Sequence, residues 1–327
     1  MRVLVTGASG FIGQALVRRL IADGVTVRST SRHERPAGIA PVEWRTLSDA
    51  DPEAQWHEAV SGCGIVIHLA ALAHQIGRAA AGRSAEFRRV NAQLTTNVAR
   101  AAVAAGAKRV VFMSSIAAMC SQSEDRVDES RRCEPQDDYG RSKLEAERAL
   151  ESELSGSVVD WCILRPPLIY GPGNPGNMAR LLRLTGSALP LPLGAIRNQR
   201  SFMFIGNLID AILRVVAHPG DIRATYIVGD DSQFSTPQLV SALAAASGRS
   251  VRMVPVPVGL LKLTGRLGDF AGRVLAMNPG IDSYSVERLT GSLSVSSERF
   301  RRAFTWQPPV DVESAIALTG KAAAAKK

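Results

Sequence analysis

Cysteine is scarce in this chain: Cys63, Cys120, Cys133 and Cys162 are the only four in 327 residues. None sits in a CxxC pair or near a histidine pair, so neither a disulfide framework nor a zinc site is expected, and no metal is assigned. The expected setting is a reducing one, the cytoplasm. Aromatic residues are also few, at 5%, a poor supply of stacking platforms for nucleic-acid bases. Lysine is rarer still, because 33 of the 39 basic residues are arginine and they are scattered. The formal charge of +9 is therefore not read as a nucleic-acid surface, although a diffuse positive field suits a diphosphate ligand. No apolar run reaches the ~20 residues of a membrane helix, so no insertion into a bilayer is expected. The opening strand meets glycine too early for a secretory signal.

What is present is an alternation of periods. Arg2–Thr6, Val25–Thr30, Gly64–Leu69, Arg109–Ser114 and Val158–Leu164 read as short buried strands. Between them, helical spacing runs from Ile12 to Ile21, from Glu86 to Gly106 and from Asp138 to Leu154. Strands alternating with helices of this length predict an α/β protein with a Rossmann-type, doubly wound parallel sheet. After Arg165 the texture changes to a Pro- and Gly-rich stretch, followed by further helices. The expected organisation is a dinucleotide-binding domain over 1–170, with part of 199–230 returning to it. A smaller mixed C-terminal lobe for substrate spans 171–320, and a frayed tail 321–327. Within that lobe, Val258–Met277 is amphipathic. Leu260, Leu263, Leu267, Phe270, Val274 and Met277 share one face, and Lys262, Arg266, Asp269 and Arg273 another. The mixed signs of the polar face favour packing on the lobe over a membrane-surface role.

Gly7-Ala8-Ser9-Gly10-Phe11-Ile12-Gly13 has the form GxxGxxG, after a strand and at the start of a helix. Glycines there let the backbone approach a pyrophosphate, and the helix N-terminus turns its N–H groups and positive dipole end toward it. At the end of the second strand, where an acidic residue commonly binds the ribose of NAD, stand Ser31 and Arg32. A cation there pairs with a 2′-phosphate, so the reading leans from NAD toward NADP(H).

Tyr139-Gly140-Arg141-Ser142-Lys143 is a YxxxK motif, and i,i+4 spacing places Tyr139 and Lys143 on one helical face. Ser115 follows the strand RVVFMS, at the carboxyl end of the sheet where such folds bind ligands. The three residue types suit hydride chemistry at a hydroxyl: a proton donor or acceptor, a cation beside it and a hydroxyl to hold the reacting oxygen. A Lys ammonium ~4 Å from the phenol at an effective dielectric of ~20 contributes about 4 kcal/mol, roughly three pKa units. Tyr139 is expected to be lowered toward working pH.

Together, TGASGFIG (6–13), IHLAA (67–71), RVNAQLTTNVARAA (89–102), VVFMSS (110–115), YGRSK (139–143), LRPPLIYGPG (164–173) and RSFMFIGNLIDAI (200–212) resemble the extended short-chain dehydrogenase/reductases of the nucleotide-sugar epimerase/dehydratase group. The resemblance spans nearly the whole chain, and it implies the following roles. Ser115, Tyr139 and Lys143 are catalytic, with Asn91 supporting the lysine through water. Gly7, Ser9, Gly10, Phe11, Ile12, Gly13, Ser31, Arg32, Leu69, Ala70, Ala71, Tyr139, Lys143 and Pro166 bind cofactor. His68 lines its phosphate–ribose side, and Tyr170 borders the nicotinamide with the Pro166-Pro167 turn. Ser115, Asn177, Arg200 and Arg288 bind a UDP-sugar, the last three at its nucleoside diphosphate. It also implies a homodimer built from two helices, including the one bearing Tyr139.

Ile116 and Ala117 stand where relatives that eliminate water carry an Asp-Glu pair, which argues against a 4,6-dehydratase. Thr46 and Asn207 also depart from the acidic residues usual at their positions. Two enzymatic readings remain open, a UDP-sugar 4-epimerase and a 4-ketoreductase, both of the kind found in surface-polysaccharide sugar synthesis. The non-enzymatic reading is a dinucleotide-sensing or scaffold protein, disfavoured because Ser115, Tyr139 and Lys143 are all retained.

Overall fold

The computed structural model describes residues 2–48, 53–73, 82–175, 190–230, 232–274 and 282–324. Seven parallel strands form the central sheet: β1 (Arg2–Thr6), β2 (Thr26–Ser31), β3 (Glu43–Thr46), β4 (Ile65–His68), β5 (Arg109–Met113), β6 (Asp160–Arg165) and, from much later in the chain, β9 (Arg223–Ile227). Their order is β3-β2-β1-β4-β5-β6-β9, so the chain winds outward from β1 in both directions. All the pairings are parallel. This is the doubly wound sheet that the alternating periods predict.

The inner strands are apolar on both faces because helices cover both. Along β1, Val3 and Val5 face one core while Leu4 faces the other, and β4 divides in the same way, with Ile65 and Ile67 opposed to Val66. The first core is closed by Leu16, Val17 and Leu20 of α1 (Phe11–Ala22) and by Leu208, Ile212 and Val215 of a later helix, Ile205–Ala217. The second is closed by Trp56 and Val60 of α2 (Glu53–Val60), by Val98 and Ala102 of α4 (Leu94–Ala104) and by Leu150 and Leu154 of α5 (Asp138–Leu154). Parallel strands buried on two sides carry no polar alternation, which explains the continuous hydrophobic runs.

The expected helix over Glu86–Gly106 begins at α3 (Ser84–Phe87) and passes through a π-helical segment, Arg88–Gln93, before α4. Periodicity does not announce such a segment, and Asn91 lies within it. A three-stranded second sheet joins β7 (Leu168–Tyr170), β8 (Arg200–Phe204) and β10 (Gln233–Phe234), with β8 central. The helix Ile205–Ala217 is α6, and it is followed by α7 (Thr236–Ala246), α8 (Val258–Val274), α9 (Ser283–Thr290), α10 (Glu298–Phe304) and α11 (Val312–Ala324).

The amphipathic 258–277 segment packs on the rest of the C-terminal part, but not through the apolar face that its spacing marks, and Met277 lies outside the described residues. Helix α8 meets α9 at Gly265, where a Cβ would fall 2.9 Å from the Ser283 Cα, and its Val258 and Leu261 pack against Leu191, Leu193, Ile196 and Val240. Leu260, Leu263, Leu267 and Phe270 lie on the far side, exposed. Gly265 lets α8 approach α9 more closely than a leucine would allow, and the apolar stripe is left outside.

Candidate active site

Parallel strands bring the loops after β1, β2, β4, β5 and β6 to one edge of the sheet, the carboxyl edge where doubly wound folds bind ligands. Gly7 leaves β1 with φ +66, and a Cβ there would fall 2.7 Å from the Ala70 nitrogen. A Cβ on Gly13 would fall 2.3 Å from the Gly7 carbonyl oxygen. Gly10 precedes α1 without a side-chain cap, so no side chain takes up the helix's first N–H groups. Ser9, Phe11 and Ile12 complete the loop, and the Ser9 hydroxyl hydrogen-bonds that of Ser31. The Ser31 oxygen also accepts the His33 N–H at 3.1 Å, and Arg32 beside it is exposed. A tight glycine cradle facing an uncapped helix start fits the pyrophosphate of a dinucleotide.

A buried chain of hydrogen bonds locks this loop to the end of β4. The Thr95 hydroxyl donates its proton to the Asn91 carbonyl at 2.6 Å. It therefore accepts from His68 Nε2 (3.0 Å), which leaves His68 Nδ1 as acceptor of the Thr6 hydroxyl at 2.7 Å. The Thr6 oxygen in turn accepts the N–H groups of Leu69 and Ala70 at 3.2 Å each. His68 is fully enclosed, and burial, aided by the Lys143 charge, holds its pKa down to about 3. It is a neutral spacer between strand and loop. Ala71 follows in the same turn.

The sheet edge and α5 bring Ser115, Tyr139 and Lys143 together. Ser115 caps a short turn over Ile116–Ala118, its oxygen accepting the Ala117 N–H at 3.2 Å, and it shares a hydrogen bond with the Tyr139 hydroxyl. Gly140 makes the approach possible: a Cβ at that position would fall 2.2 Å from the Ala117 carbonyl oxygen. Gly140→Ala is expected to push Tyr139 off Ser115 and lower kcat by about 10²-fold, the scale of a ~1 Å misplacement. Steady-state kinetics beside a melting curve check this, since an equal loss of folded protein would point to stability instead.

The electrostatics depart from the sequence-based expectation. Burial pushes the Tyr139 pKa up to about 12, against the Ser115 hydrogen bond and the Arg288 charge, which pull it down. Lys143 does not act on it as expected. Its Nζ donates to the Met113 carbonyl at 2.7 Å and sits 4.7 Å from the centroid of the Phe112 ring. Burial lowers Lys143 to about 7 despite the Glu147 carboxylate. A lysine partly neutral at pH 7 is a weak source of field, and desolvation decides the sign for Tyr139.

The Asn91 side chain accepts the Leu72 N–H at 2.7 Å and donates to Ser142 Oγ at 2.8 Å, tying the 69–73 segment to α5 beside Lys143.

Arg200 and Arg288 come together although they are 88 residues apart. Arg200 is buried and donates to the carbonyls of Arg288 (3.1 Å) and Gly291 (2.8 Å). Burial and the Arg288 charge hold its pKa down to about 10. The Arg288 Nε is buried with no hydrogen-bond partner, and its guanidinium lies over the Tyr284 ring at 5.1 Å. Two neighbouring guanidiniums, one buried with no carboxylate partner among the described residues and one with an idle buried N–H, are an arrangement that suits an anion.

Tyr284 escaped the sequence reading, as did Asp137. Tyr284 donates its hydroxyl to Asp137 Oδ2 at 3.0 Å, while Asp137 Oδ1 caps α5 through the Gly140 N–H. No short-range pattern marks a pair 147 residues apart. Tyr170, expected at the nicotinamide, is buried in the second sheet between Phe202 and Phe204, where apolar packing outweighs display. Pro166 does lie at the edge, its carbonyl accepting the Ile116 N–H at 3.0 Å. Asn177 lies outside the described residues.

Sheet order, glycine cradle and the Ser115, Tyr139 and Lys143 trio define an NAD-binding Rossmann protein of the extended short-chain dehydrogenase/reductase class. The chain belongs to the NAD dependent epimerase/dehydratase family, whose model matches residues 3–229. It is 32% identical over 332 residues to a UDP-glucose 4-epimerase of Vibrio cholerae, covering 98% of this chain and 94% of that one. Over 288 residues it is 26% identical to the N-acetyl-alpha-D-glucosaminyl-diphospho-ditrans,octacis-undecaprenol 4-epimerase of Escherichia coli O157:H7, covering 88% and 84%. The solved structure of MoeE5 in complex with UDP-glucuronic acid and NAD superposes with a TM-score of 0.81 at 22% identity, both chains covered in full. The UDP-glucose 4-epimerase of Thermotoga maritima gives 0.77 at 19% identity, with 98% of each chain covered. At those identities the two structures speak for the fold.

Proposed function

We propose that the protein is an epimerase acting at C4 of a hexose or N-acetylhexosamine carried on a diphosphate, with UDP as the carrier. The observation that carries this reading is one cluster: the Tyr139 hydroxyl bonded to Ser115, with Arg288 acting on Tyr139 and Arg200 beside Arg288. A proton-transfer group and a diphosphate receptor within a single site are what a sugar nucleotide requires.

NAD, held by the Gly7–Gly13 loop, supplies the acceptor and later the donor of the C4 hydride. Tyr139 takes the proton of the C4 hydroxyl and returns it, while Ser115 holds the same oxygen. The Ser115 hydrogen bond and the Arg288 charge ease Tyr139 toward its ionised form against its burial. Arg200 and Arg288 clamp the diphosphate and leave the sugar free to turn. A homodimer through α4 and α5 belongs to the same reading. These helices are already cross-linked by the Arg100–Glu153 ion pair at 2.9 Å, and the π segment before α4 is linked to α5 by Arg88–Glu145 at 3.0 Å.

One observation favours a second reading. Arg32, exposed at the end of β2, suits the 2′-phosphate of NADP(H) and thus a 4-ketoreductase acting on a UDP-4-keto sugar. Purification without added cofactor, denaturation and identification of the released dinucleotide separate the two. Near-stoichiometric NAD, together with interconversion of UDP-glucose and UDP-galactose or their N-acetyl forms, is expected. A site that takes up NADPH only when it is offered, with no interconversion, would favour the reductase.

A further inference from the structure

Helix α8 presents to solvent a surface that the site does not use. Leu260, Leu263, Leu267 and Phe270 are 53%, 49%, 58% and 66% exposed, large values for four apolar side chains on one helix. At 100° per residue they fall within a narrow stripe, opposite Gly265, where the helix meets α9, and away from the inward-packed Leu261. Lys262 and Arg266 lie to one side of that stripe and are exposed. The acidic residue of the polar face, Asp269, is turned away: its Oδ1 accepts the Ser283 N–H at 3.3 Å at the start of α9. Among the described side chains of α8, the exposed ones are therefore apolar, basic or threonine, with no exposed carboxylate.

We propose that this face docks on an anionic bilayer surface, lying in the headgroup layer with the leucines and Phe270 dipped into it and Lys262 and Arg266 on lipid phosphates. Charge decides between occupants. Packing two copies face to face would set Lys262 and Arg266 against their own counterparts, with no exposed acid on the helix to pair with them. An anionic lipid surface satisfies the same cations, and the protein's charge of +9 acts in the same direction. No helix among the described residues is long and apolar enough to cross a membrane, so the helix lies on the surface and does not span it. Docking leaves α9, which carries Tyr284 and Arg288, one helix away from the lipid phosphates.

The test is sedimentation of the full chain with phosphatidylcholine vesicles, with and without phosphatidylglycerol, at low and high salt. Binding is expected to require phosphatidylglycerol and to weaken with salt. The double variant Leu267→Glu, Phe270→Glu is expected to lose about tenfold or more in vesicle affinity with a nearly unchanged melting temperature, because both side chains are more than half exposed. Lys262→Glu, Arg266→Glu is expected to abolish the lipid-charge dependence. Wild-type protein that stays in the supernatant with both vesicles overturns the proposal without any variant. So does binding that both double variants leave intact. A concentration-dependent dimer that Leu267→Glu, Phe270→Glu dissolves, in a protein that ignores vesicles, would assign the face to a second copy.

Discussion

Replacing Tyr139 with phenylalanine is expected to lower kcat by about 10²–10⁴, the usual worth of a positioned proton-transfer group, with dinucleotide affinity nearly unchanged. The asymmetry follows from placement. The cofactor cradle is built from Gly7, Gly10 and Gly13 and is held to β4 through Thr6 and His68, none of which needs the phenol. The hydroxyl's partner is Ser115, at the sheet edge where the reacting oxygen belongs. Because burial holds the Tyr139 pKa at about 12, the phenol is a proton donor at neutral pH before anything binds. The oxidative half-reaction then gains from raising pH, as a larger fraction of the phenol ionises. Wild-type oxidation should rise with pH through the neutral range, and the phenylalanine variant's residual rate should lack that rise. Fluorescence titration with the dinucleotide, beside a pH–rate profile, separates the two quantities. Wild-type turnover in the variant would remove Tyr139 from the chemistry and leave a dinucleotide-sensing role.

Short-range patterns carried much of this molecule into the sequence. The glycine cradle is legible because its three glycines lie within seven residues, and Tyr139 and Lys143 because helical spacing puts four-apart residues on one face. The β-strands of the Rossmann half were legible as runs, since burial on both faces removes polar alternation. What depends on distant pairing was not. Strands β3 and β9 fill the sheet edges with unremarkable sequences, EWRT and RATYI, which become strands through their neighbours. The Asp137–Tyr284 bond joins residues from opposite halves of the chain. The charge state of Tyr139 was misjudged for a related reason. Spacing fixes where Lys143 sits but not how deeply the phenol is enclosed, and enclosure outweighed the neighbouring charge. For α8, amphipathicity located the apolar stripe, while Gly265, Val258 and Leu261 on other sides of the helix meet the protein.

One more pairing that the sequence hid carries the largest expected effect on stability. Glu147 lies one turn beyond Lys143 on α5 and is almost wholly buried. Arg165, at the end of β6, grips it with two parallel hydrogen bonds at 2.9 and 2.5 Å, and the Ser114 hydroxyl at the end of β5 donates to it as well. The carboxylate thus joins the helix bearing Tyr139 and Lys143 to the two strand ends that present Ser115 and Pro166. Glu147→Gln keeps the shape but leaves the buried Arg165 cation without its counter-charge, and the expected loss is about 3–5 kcal/mol. The double variant Glu147→Met, Arg165→Met removes both charges and should recover most of that loss, because apolar replacement of a complete buried pair is often neutral. Chemical denaturation of the three proteins measures this directly. Kinetics distinguish a positioning role from a structural one. Glu147 raises the pKa of Lys143, so either variant should move any lysine-dependent limb of the pH–rate profile to lower pH. A double variant with restored stability and an unmoved profile would confine the Glu147–Arg165 pair to holding the fold together, whereas a displaced profile in that same stable protein would make the pair part of how the site sets the charge of Lys143.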